Sequence, residues 1–417
     1  MRILNILPYS PCPPHFGGAL RIYHLLREMT RSHEVTVIMY GTPAEGQLVR
    51  DAFGEGLKEV RTVARPAQLT GVRKRWSQVR SLLGRESATT GAFYSAAMQE
   101  TIDSVVAGQS FDLIQMENHP LGVFRVSCPG AVRVMDAQNV EHDNVRRMAA
   151  ASRSPIRRAF YRREARKLFL EEKEVYEKQD AIFVTSSRDR SLMDAEFPGV
   201  PKYVIPNGVD TSFFHPSDAT PAPHTIVFTG AMNYFPNADG MIWFLREIFP
   251  LVKRRVSGAR VQIVGGGPPR QLTALASEDV DITGYVEDVR PYVRGAGVYA
   301  VPLRMGGGTR LKVLEAMAME RPVVTTTVGC EGINVIDRTS VLVADAPDRF
   351  AEAVIDLMSN AALRQKLVAN GRDLVRSEYE WSVVGARLNE TYSMVTGRGN
   401  VRGFPPRHSP PVAVQKA

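Results

Sequence analysis

The sequence predicts an α/β protein built as two doubly wound domains facing one another across a cleft, and three observations predict it. Short apolar runs alternate with helix-period patterns along most of the chain, and each run ends in polar or glycine-rich residues. The theme of strand, glycine turn and helix occurs at the start of the chain and again at Ala300 to Thr325. Between the two halves lies FFHPSDATPAPH, rich in proline and without periodicity, as a linker would be. At 417 residues the chain exceeds one ordinary core, and a prior of about 150 residues per domain gives two or three.

In the first half, Arg2 to Pro8 reads as a buried strand, SPCPPHFGG as a loop and Glu34 to Tyr40 as a second strand. Between them, Ala19 to Arg31 carries Leu20, Tyr23, Leu25, Leu26 and Met29 at helical spacing, so a helical crossover joins parallel strands. Gly17 and Gly18 stand where that helix begins and offer an anion-binding turn, with Arg21 one turn further on. A double glycine is equally an ordinary tight turn. Further strands end in polar clusters. Phe111 to Met116 leads into Glu117, Asn118 and His119; Ala131 to Met135 leads into Asp136, Gln138, Asn139, Glu141 and His142; Ala181 to Val184 leads into Thr185 to Ser187. Ligands of open α/β sheets collect at the carboxyl ends of strands, which makes these clusters one candidate cleft wall.

The expected domains are residues 1–205 and 223–378, joined by a linker at 206–222. A helix at 379–395 is expected to cross back to the first domain, and the tail at 396–417, rich in Pro, Gly and Arg, to be disordered. In the second domain, Thr225 to Thr229 starts a strand, Gly230 to Asp239 forms a polar loop containing Asn233, and Gly240 to Arg254 reads as an amphipathic helix. Val261 to Val264 runs into Gly265, Gly266 and Gly267, and Val280 to Gly284 and Gly297 to Pro302 supply more strands.

Ala300 to Thr325 is the most informative stretch. Gly306, Gly307 and Gly308 free the backbone to turn, and Thr309 is placed to cap a helix bearing Leu311, Leu314, Met317 and Ala318. Unpaired N–H groups at such a helix start carry partial positive charge and suit phosphate oxygens. Arg310 and Lys312 add two full charges in the first turn, enough for a diphosphate clamp. Glu315, three residues after Lys312, lies on the same face and can accept hydrogen bonds from a diol such as a ribose. The bland alternative is a simple loop followed by a solvated Lys312–Glu315 pair.

Composition excludes several classes. No window approaches the ~18 uninterrupted apolar residues of a membrane span, and Asn5 and Pro8 break the opening before a signal-peptide core could form. A cytoplasmic protein is expected. Cys12, Cys128 and Cys330 are scattered, without a Cys/His cluster, so neither a disulfide frame nor a metal site is expected. The net charge of +8 favours anionic partners. Its basic residues gather at Arg73, Lys74 and Arg75 beside Trp76. They gather again at Arg153, Arg157, Arg158, Arg162, Arg163, Arg166 and Lys167, interleaved with Ile156, Phe160, Tyr161, Leu168 and Phe169. Such a helix suits peripheral contact with an anionic membrane at its inner face, or is simply a solvated helix face.

Taken together, FGGALRIYHLLREM, VIPNGVD, GYVEDVRPYV and GGGTRLKVLEAMAMERPVVTTTVGCEGI resemble the retaining glycosyltransferases of family 4, which have the GT-B fold of two Rossmann-like domains. The resemblance covers roughly residues 1–395. VMDAQNVEHDNVRRM and GAMNYFPNADGMIWF are similar to a subgroup of sugar transferases of bacterial polysaccharide assembly. The resemblance implies transfer of a sugar from a nucleotide-diphosphate sugar to a glycan or lipid-linked acceptor, with the donor a substrate and no cofactor. Glu315 would grip the ribose hydroxyls, Gly307 to Thr309 would present amides to the donor sugar and phosphates, and Arg310 and Lys312 would meet the diphosphate. Tyr285 and Val286 would lie beside the nucleobase. Gly17, Gly18, Arg21, Gly230, Asn233, Gly265, Gly306 and Leu314 complete the expected donor side.

Two departures stand out. Family members often carry an acidic residue eight positions before the ribose-binding Glu, where this chain has Gly307. Many also carry an Arg/Lys pair in the first loop of the second domain, and GAMNYFPNADG has none. On the opposite wall, Glu117 and His119 are expected to approach the reacting sugar, and Asp136 and Asn139 the acceptor or donor hydroxyls. A leaving diphosphate can itself take the acceptor proton in a front-face retaining route, so no paired carboxylates are required. Rival readings are a nucleotide-sugar epimerase, which would need acid and base carboxylates at the sugar, and a non-catalytic sugar-nucleotide sensor. An NAD oxidoreductase lacks its Gly-x-Gly-x-x-Gly loop, and nucleic-acid binding would rest on charge alone.

Overall fold

The computed structural model describes residues 1–66, 87, 93–152, 154–218 and 220–398. The basic cluster Arg73–Trp76, Arg153 and the tail after Arg398 lie outside the described residues. Two parallel sheets organise the chain. The first has seven strands, β1 (Arg2–Leu7), β2 (Glu34–Tyr40), β3 (Leu57–Val63), β4 (Leu113–Glu117), β5 (Val132–Ala137), β6 (Ala181–Val184) and β7 (Lys202–Val204), in the order β3-β2-β1-β4-β5-β6-β7. The second has six, β8 (Ala222–Thr229), β9 (Arg260–Val264), β10 (Val280–Gly284), β11 (Ala296–Val301), β12 (Val323–Thr325) and β13 (Leu342–Val343), in the order β10-β9-β8-β11-β12-β13.

The two sheets share one winding rule. In each, the chain starts in the middle, moves outward to one edge, then returns and fills the other side, and every pairing is parallel. Helical crossovers cover both faces of a parallel sheet, so its strands bury side chains on both sides. This is why β6 and β11 read as continuous apolar runs, and why β1 and β4 bury even Asn5, Gln115 and Glu117. The reversal of winding lies between β1 and β4 in the first lobe and between β8 and β11 in the second. Loops leaving those strands at their carboxyl ends diverge and leave a crevice.

The helix Trp381–Val395 joins the first lobe. Trp381, Val384, Leu388 and Tyr392 pack with Leu25, Leu26 and Met29 of the helix Gly17–Ser32 over β1 and β2. The chain therefore passes between lobes twice, and the two passages are bonded together. The Val209 amide donates to the Tyr379 carbonyl (2.8 Å), and Thr211 Oγ1 donates to Glu380 (2.8 Å). Gly208 lies flat against the Trp381 indole, where a Cβ would sit 2.6 Å from the ring.

Two expectations about helices are corrected. The helix expected over Gly240 to Arg254 starts earlier, at Phe235, because Pro236 occupies a first turn where no N–H is needed. It then widens into a π segment at Phe244–Ile248 before Phe249–Arg255, where Pro250 again begins a new turn. Thr309 does not cap the glycine-loop helix. That helix runs Leu311–Ala318 with Arg310 in the cap position and no side-chain cap bond.

Candidate functional site

The second lobe's crevice is lined by the loops after β8 and β11. Gly306 (φ 127°) and Gly308 (φ 76°) turn the chain into the helix Leu311–Ala318, in conformations L side chains rarely adopt. Apolar burial of Val313, Leu314 and Met317 pins that helix to the core and leaves Lys312 and Glu315 facing the crevice edge. Lys312 Nζ donates to Asn237 Oδ1 (3.0 Å) and sits 4.1 Å from the centre of the Phe228 ring. It also closes on Gly230, where a Cβ would come within 2.7 Å of Nζ. A bare backbone at Gly230 is thus what admits the ammonium. Gly265 is packed directly against the Gly230 carbonyl, and Asn233 against Gly267, so the turns after β8 and β9 support one another.

Electrostatics at this edge are unusual. Burial lowers the Lys312 pKa to about 7, with Arg310 adding to the effect and Glu315 opposing it. Burial likewise raises the Glu315 carboxyl to about 7, against the pull of Lys312. Neither charge is paid for by a direct ion pair, so an anion beside Lys312 and hydroxyls beside Glu315 would improve both environments. Arg310 is spent differently from the expectation. Its Nη1 donates to the Gly307 carbonyl and Nε to that of Val328 (3.3 Å), bracing the loop, while buried Nη2 has no partner. Thr309 Oγ1 is also buried without a partner. Leu314 is fully buried and serves the core. Tyr285 is 82 % exposed, with its Cβ over Gly266, and Val286 is half-buried beside it.

The first lobe meets this loop from across the cleft. Gly17 lies 3.9 Å from Leu311, measured from an added Cβ, and Asn139 approaches Gly308 to 3.0 Å in the same sense. Asn144 fills the space a side chain at Gly307 would need. Arg147 grips Glu331 with both terminal nitrogens (2.6 and 2.9 Å), and Arg188 reaches the same carboxylate at 3.1 Å. Asp143 holds both arginines from behind. Asn144, Arg147, Arg188 and Glu331 were given no role by the sequence. Three of them lay in VMDAQNVEHDNVRRM and GCEGI, yet contacts between lobes leave no local pattern.

Deeper in the first lobe, three expected site residues form an internal brace. Arg21, placed on the donor side by its position after the glycine turn, is fully buried and donates from Nε and Nη2 to Asp136 (2.8 Å each). Its Nη1 donates to the Pro206 carbonyl (3.1 Å) and Asn207 Oδ1 (3.0 Å), tying the strand ends to the passage between lobes. Asp136, expected on the acceptor side, is consumed by this pair. Glu117, expected at the reacting sugar, is buried beside it and accepts from Gln115 (2.6 Å) and Gln138 (3.2 Å). Burial and then the Asp136 charge push the Glu117 carboxyl well above its ordinary range. Desolvation is the physical reason for the pairing: ionic groups this deep are stable only when paired with one another.

His119 is buried just past the end of β4. Asn118 before it adopts φ 76°, ψ 142°, a strained conformation for a residue with a side chain, and turns the chain sharply at the end of β4. His119 is 2 % exposed with Nε2 unpartnered, and its Nδ1 stands 4.0 Å from Glu172. Glu172 also accepts from His142 Nδ1 and from the Glu141 amide (2.9 Å). Among the described residues no group of three His, Cys, Asp or Glu side chains could hold a metal ion.

Fold and site together define the class. Residues 223–360 match the family described as glycosyl transferases group 1. The whole chain superposes on sucrose-phosphate synthase from Thermosynechococcus elongatus with a TM-score of 0.66 at 16 % identity, covering 96 % of this chain and 100 % of that one. It superposes on WaaG, a glycosyltransferase of lipopolysaccharide biosynthesis, with a TM-score of 0.61 at 15 % identity, covering 95 % and 100 %. The chain therefore has the GT-B fold, and its second lobe is the part that matches the glycosyl transferases group 1 family. In sequence it is similar to a GDP-mannose-dependent phosphatidylinositol monomannoside mannosyltransferase of Mycobacterium tuberculosis, 28 % identical over 236 residues, spanning 50 % of this chain and 60 % of that protein. It is also similar to the lipopolysaccharide core mannosyltransferase LpcC of Rhizobium leguminosarum, 26 % identical over 263 residues, spanning 57 % and 72 %.

Proposed function

We propose that this protein is a retaining hexosyltransferase of family 4. It moves a sugar from a nucleotide-diphosphate sugar to a glycan or lipid-linked acceptor in bacterial polysaccharide or glycolipid assembly. One observation carries the reading: the glycine loop and the helix Leu311–Ala318 bring the amides of the loop, Lys312 and Glu315 to a single edge facing the Gly17 turn of the other lobe. The amides and Lys312 meet the diphosphate and stabilise the charge that grows as the anomeric bond stretches. Arg310 holds the loop and offers Nη2, Glu315 binds the ribose, and Tyr285 and Val286 flank the base. His119, with Nε2 free, points its polar edge at the sugar. No cofactor takes part.

Relatives named as GDP-mannose-dependent make GDP-mannose the first donor to try. The purified chain, incubated with GDP-, UDP-, ADP- and dTDP-sugars and a lipid-linked acceptor fraction, is expected to release one nucleoside diphosphate in step with glycan formation. Binding of a nucleotide sugar without turnover on any acceptor would favour the sensor reading. The tight fit of Asn144 into the side-chain-free position at Gly307 is the observation on that side.

The acceptor side is proposed to meet an anionic membrane. The helix Pro155–Tyr176 exposes Ile156 (83 %), Arg157, Arg158, Arg162, Arg163, Arg166 and Leu170 on one face, while Lys167 and Leu168 turn inward. No described helix is long and apolar enough to cross a membrane. Flotation with anionic liposomes is expected, and Gln at positions 157, 158, 162 and 163 is expected to abolish it.

A further inference from the structure

The first lobe sends two asparagines to the glycine loop, and the donor chemistry above uses neither. Asn139 follows β5, and Asn144 lies in the first turn of the helix Glu141–Ala151. Asn139 meets Gly308, where an added Cβ would stand 3.0 Å from Oδ1. Asn144 meets Gly307, where a Cβ would overlap Oδ1 and lie 2.6 Å from Cγ and 3.1 Å from Nδ2. Both carboxamides therefore turn their oxygen ends to the loop.

Their opposite ends share one anchor. Glu141 opens the helix, three residues before Asn144 and so on the same face. Its pKa is raised, by burial first; His119 and Glu172 pull it in opposite directions, and hydrogen bonds from the Asn139 and Asn144 side chains lower it. A carboxylate accepts but does not donate, so it takes the nitrogen end of each carboxamide and leaves the oxygen pointing away. The Glu141 amide donates to Glu172 (2.9 Å), which pins the start of the helix and this geometry with it.

The amides of the loop and Lys312 supply donors and positive charge, which suit a phosphate. The two asparagine oxygens are acceptors, which a phosphate would repel and a hydroxyl would satisfy. The α-carbons they meet belong to consecutive residues, about 3.8 Å apart, a spacing on the scale of adjacent hydroxyls of one sugar ring. The crevice at this seam is lined by Asn139, Asn144, Ser186, Gly308 and Gly332. Thr309 Oγ1, buried without a partner, would lie 3.5 Å from a Cβ on Gly332. We propose that Asn139 and Asn144 read adjacent hydroxyl groups of the transferred sugar, and that Glu141 is the positioning residue that aims them. The inference rests on the nucleotide-sugar reading above and adds to it the side chains that tell the sugar from its nucleotide. Because these oxygens come from one lobe and the loop from the other, the sugar is read only where the lobes meet.

Calorimetry on the full chain tests this with two pairs of probes, GDP beside GDP-mannose and UDP beside UDP-glucose. For the pair that binds, Asn144→Ala is expected to weaken the nucleotide sugar about tenfold, the worth of one hydrogen bond. The matching nucleoside diphosphate is expected to keep its affinity within about twofold, which also shows that the variant is folded. Glu141→Gln, whose side chain donates as well as accepts, is expected to show the same sugar-selective loss, and Glu141→Asp to keep part of the preference. Gly307, unlike its two neighbours, has no positive φ. The exchange of Asn144→Gly with Gly307→Asn, which sends a carboxamide into the same space from the loop, is therefore expected to recover most of the lost affinity. Arg147→Ala removes an ion pair between the lobes and leaves the carboxamides in place, so it is expected to move both ligands alike. Equal effects of Asn144→Ala on nucleotide and nucleotide sugar, or a sugar-selective loss of the same size in Arg147→Ala, overturn the inference alone. Failure of every probe to bind the unaltered protein overturns the nucleotide-sugar reading and the inference with it.

Discussion

Two glycine turns face each other across the cleft, each opening a helix and each followed by an arginine, yet they are finished in opposite ways. At Gly17 and Gly18 the backbone is ordinary, and the following Arg21 has its guanidinium satisfied by Asp136, Pro206 and Asn207. At Gly306 to Gly308 two residues have positive φ, and Thr309 Oγ1 and Arg310 Nη2 are buried without partners. Burial draws the Lys312 and Glu315 pKa values beside them toward one another, each to about 7. Buried polar groups are normally satisfied, so the unfinished turn is the one built to receive something and the finished turn is a brace.

The comparison can be broken most severely at the brace. Asp136→Asn leaves the Arg21 charge buried and unpaired, which is expected to cost about 3–5 kcal/mol of stability. Denaturant unfolding reads this, and a loss under about 1 kcal/mol would mean the pair is not load-sharing as described. Next in size is the receiving turn. Glu315→Gln is expected to weaken nucleotide-sugar binding about tenfold to a hundredfold, the worth of a charge-assisted hydrogen bond, with the melting temperature unchanged or raised. Calorimetry showing unaltered affinity would remove the ribose role.

A pH series sharpens the same turn. Free Lys312 loses its proton as pH rises through about 7. A bound diphosphate must then restore that proton, while ribose hydroxyls favour the ionised Glu315 carboxylate, which takes up a proton below about 7, so affinity is expected to peak near this pH and to fall by up to about tenfold per unit on either side. Nucleotide sugars are the right ligand because their diphosphate diester does not titrate there. Lys312→Arg should flatten the alkaline limb and Glu315→Gln the acid one, and an alkaline slope that persists in Lys312→Arg assigns that titration to another group. The smallest effect separates the turns directly. Gly308→Ala forces a side chain into φ 76° and toward Asn139, at a cost of about 1–3 kcal/mol. Gly17→Ala meets only ordinary contact with Leu311 and is expected to stay within about 0.5 kcal/mol.

Much of this architecture was legible because parallel strands buried on both faces make unbroken apolar runs. Ala181–Val184 lies where such a run predicts, Glu34–Tyr40 and Val280–Gly284 where shorter β-branched runs do, and the helix Trp381–Val395 where its periodicity does. The glycine loop was legible from composition. What escaped was pairing over long separations. Arg21 at a helical position reads equally as a surface charge, and nothing near it announces Asp136, 115 residues away. The same holds for Arg147 with Glu331, 184 residues apart. Thr309 misled for a local reason: the cap signal is a preference, and here Arg310, drawn back to the Gly307 and Val328 carbonyls, takes the cap position instead.

The fit of Asn144 against Gly307 has a consequence for how the molecule rests. Any substituent on that α-carbon must either dislodge the asparagine or wedge the halves further apart. A single absent side chain thus sets the default posture of the two lobes, and a graded series from alanine to leucine at this position would act as a set of spacers for measuring it.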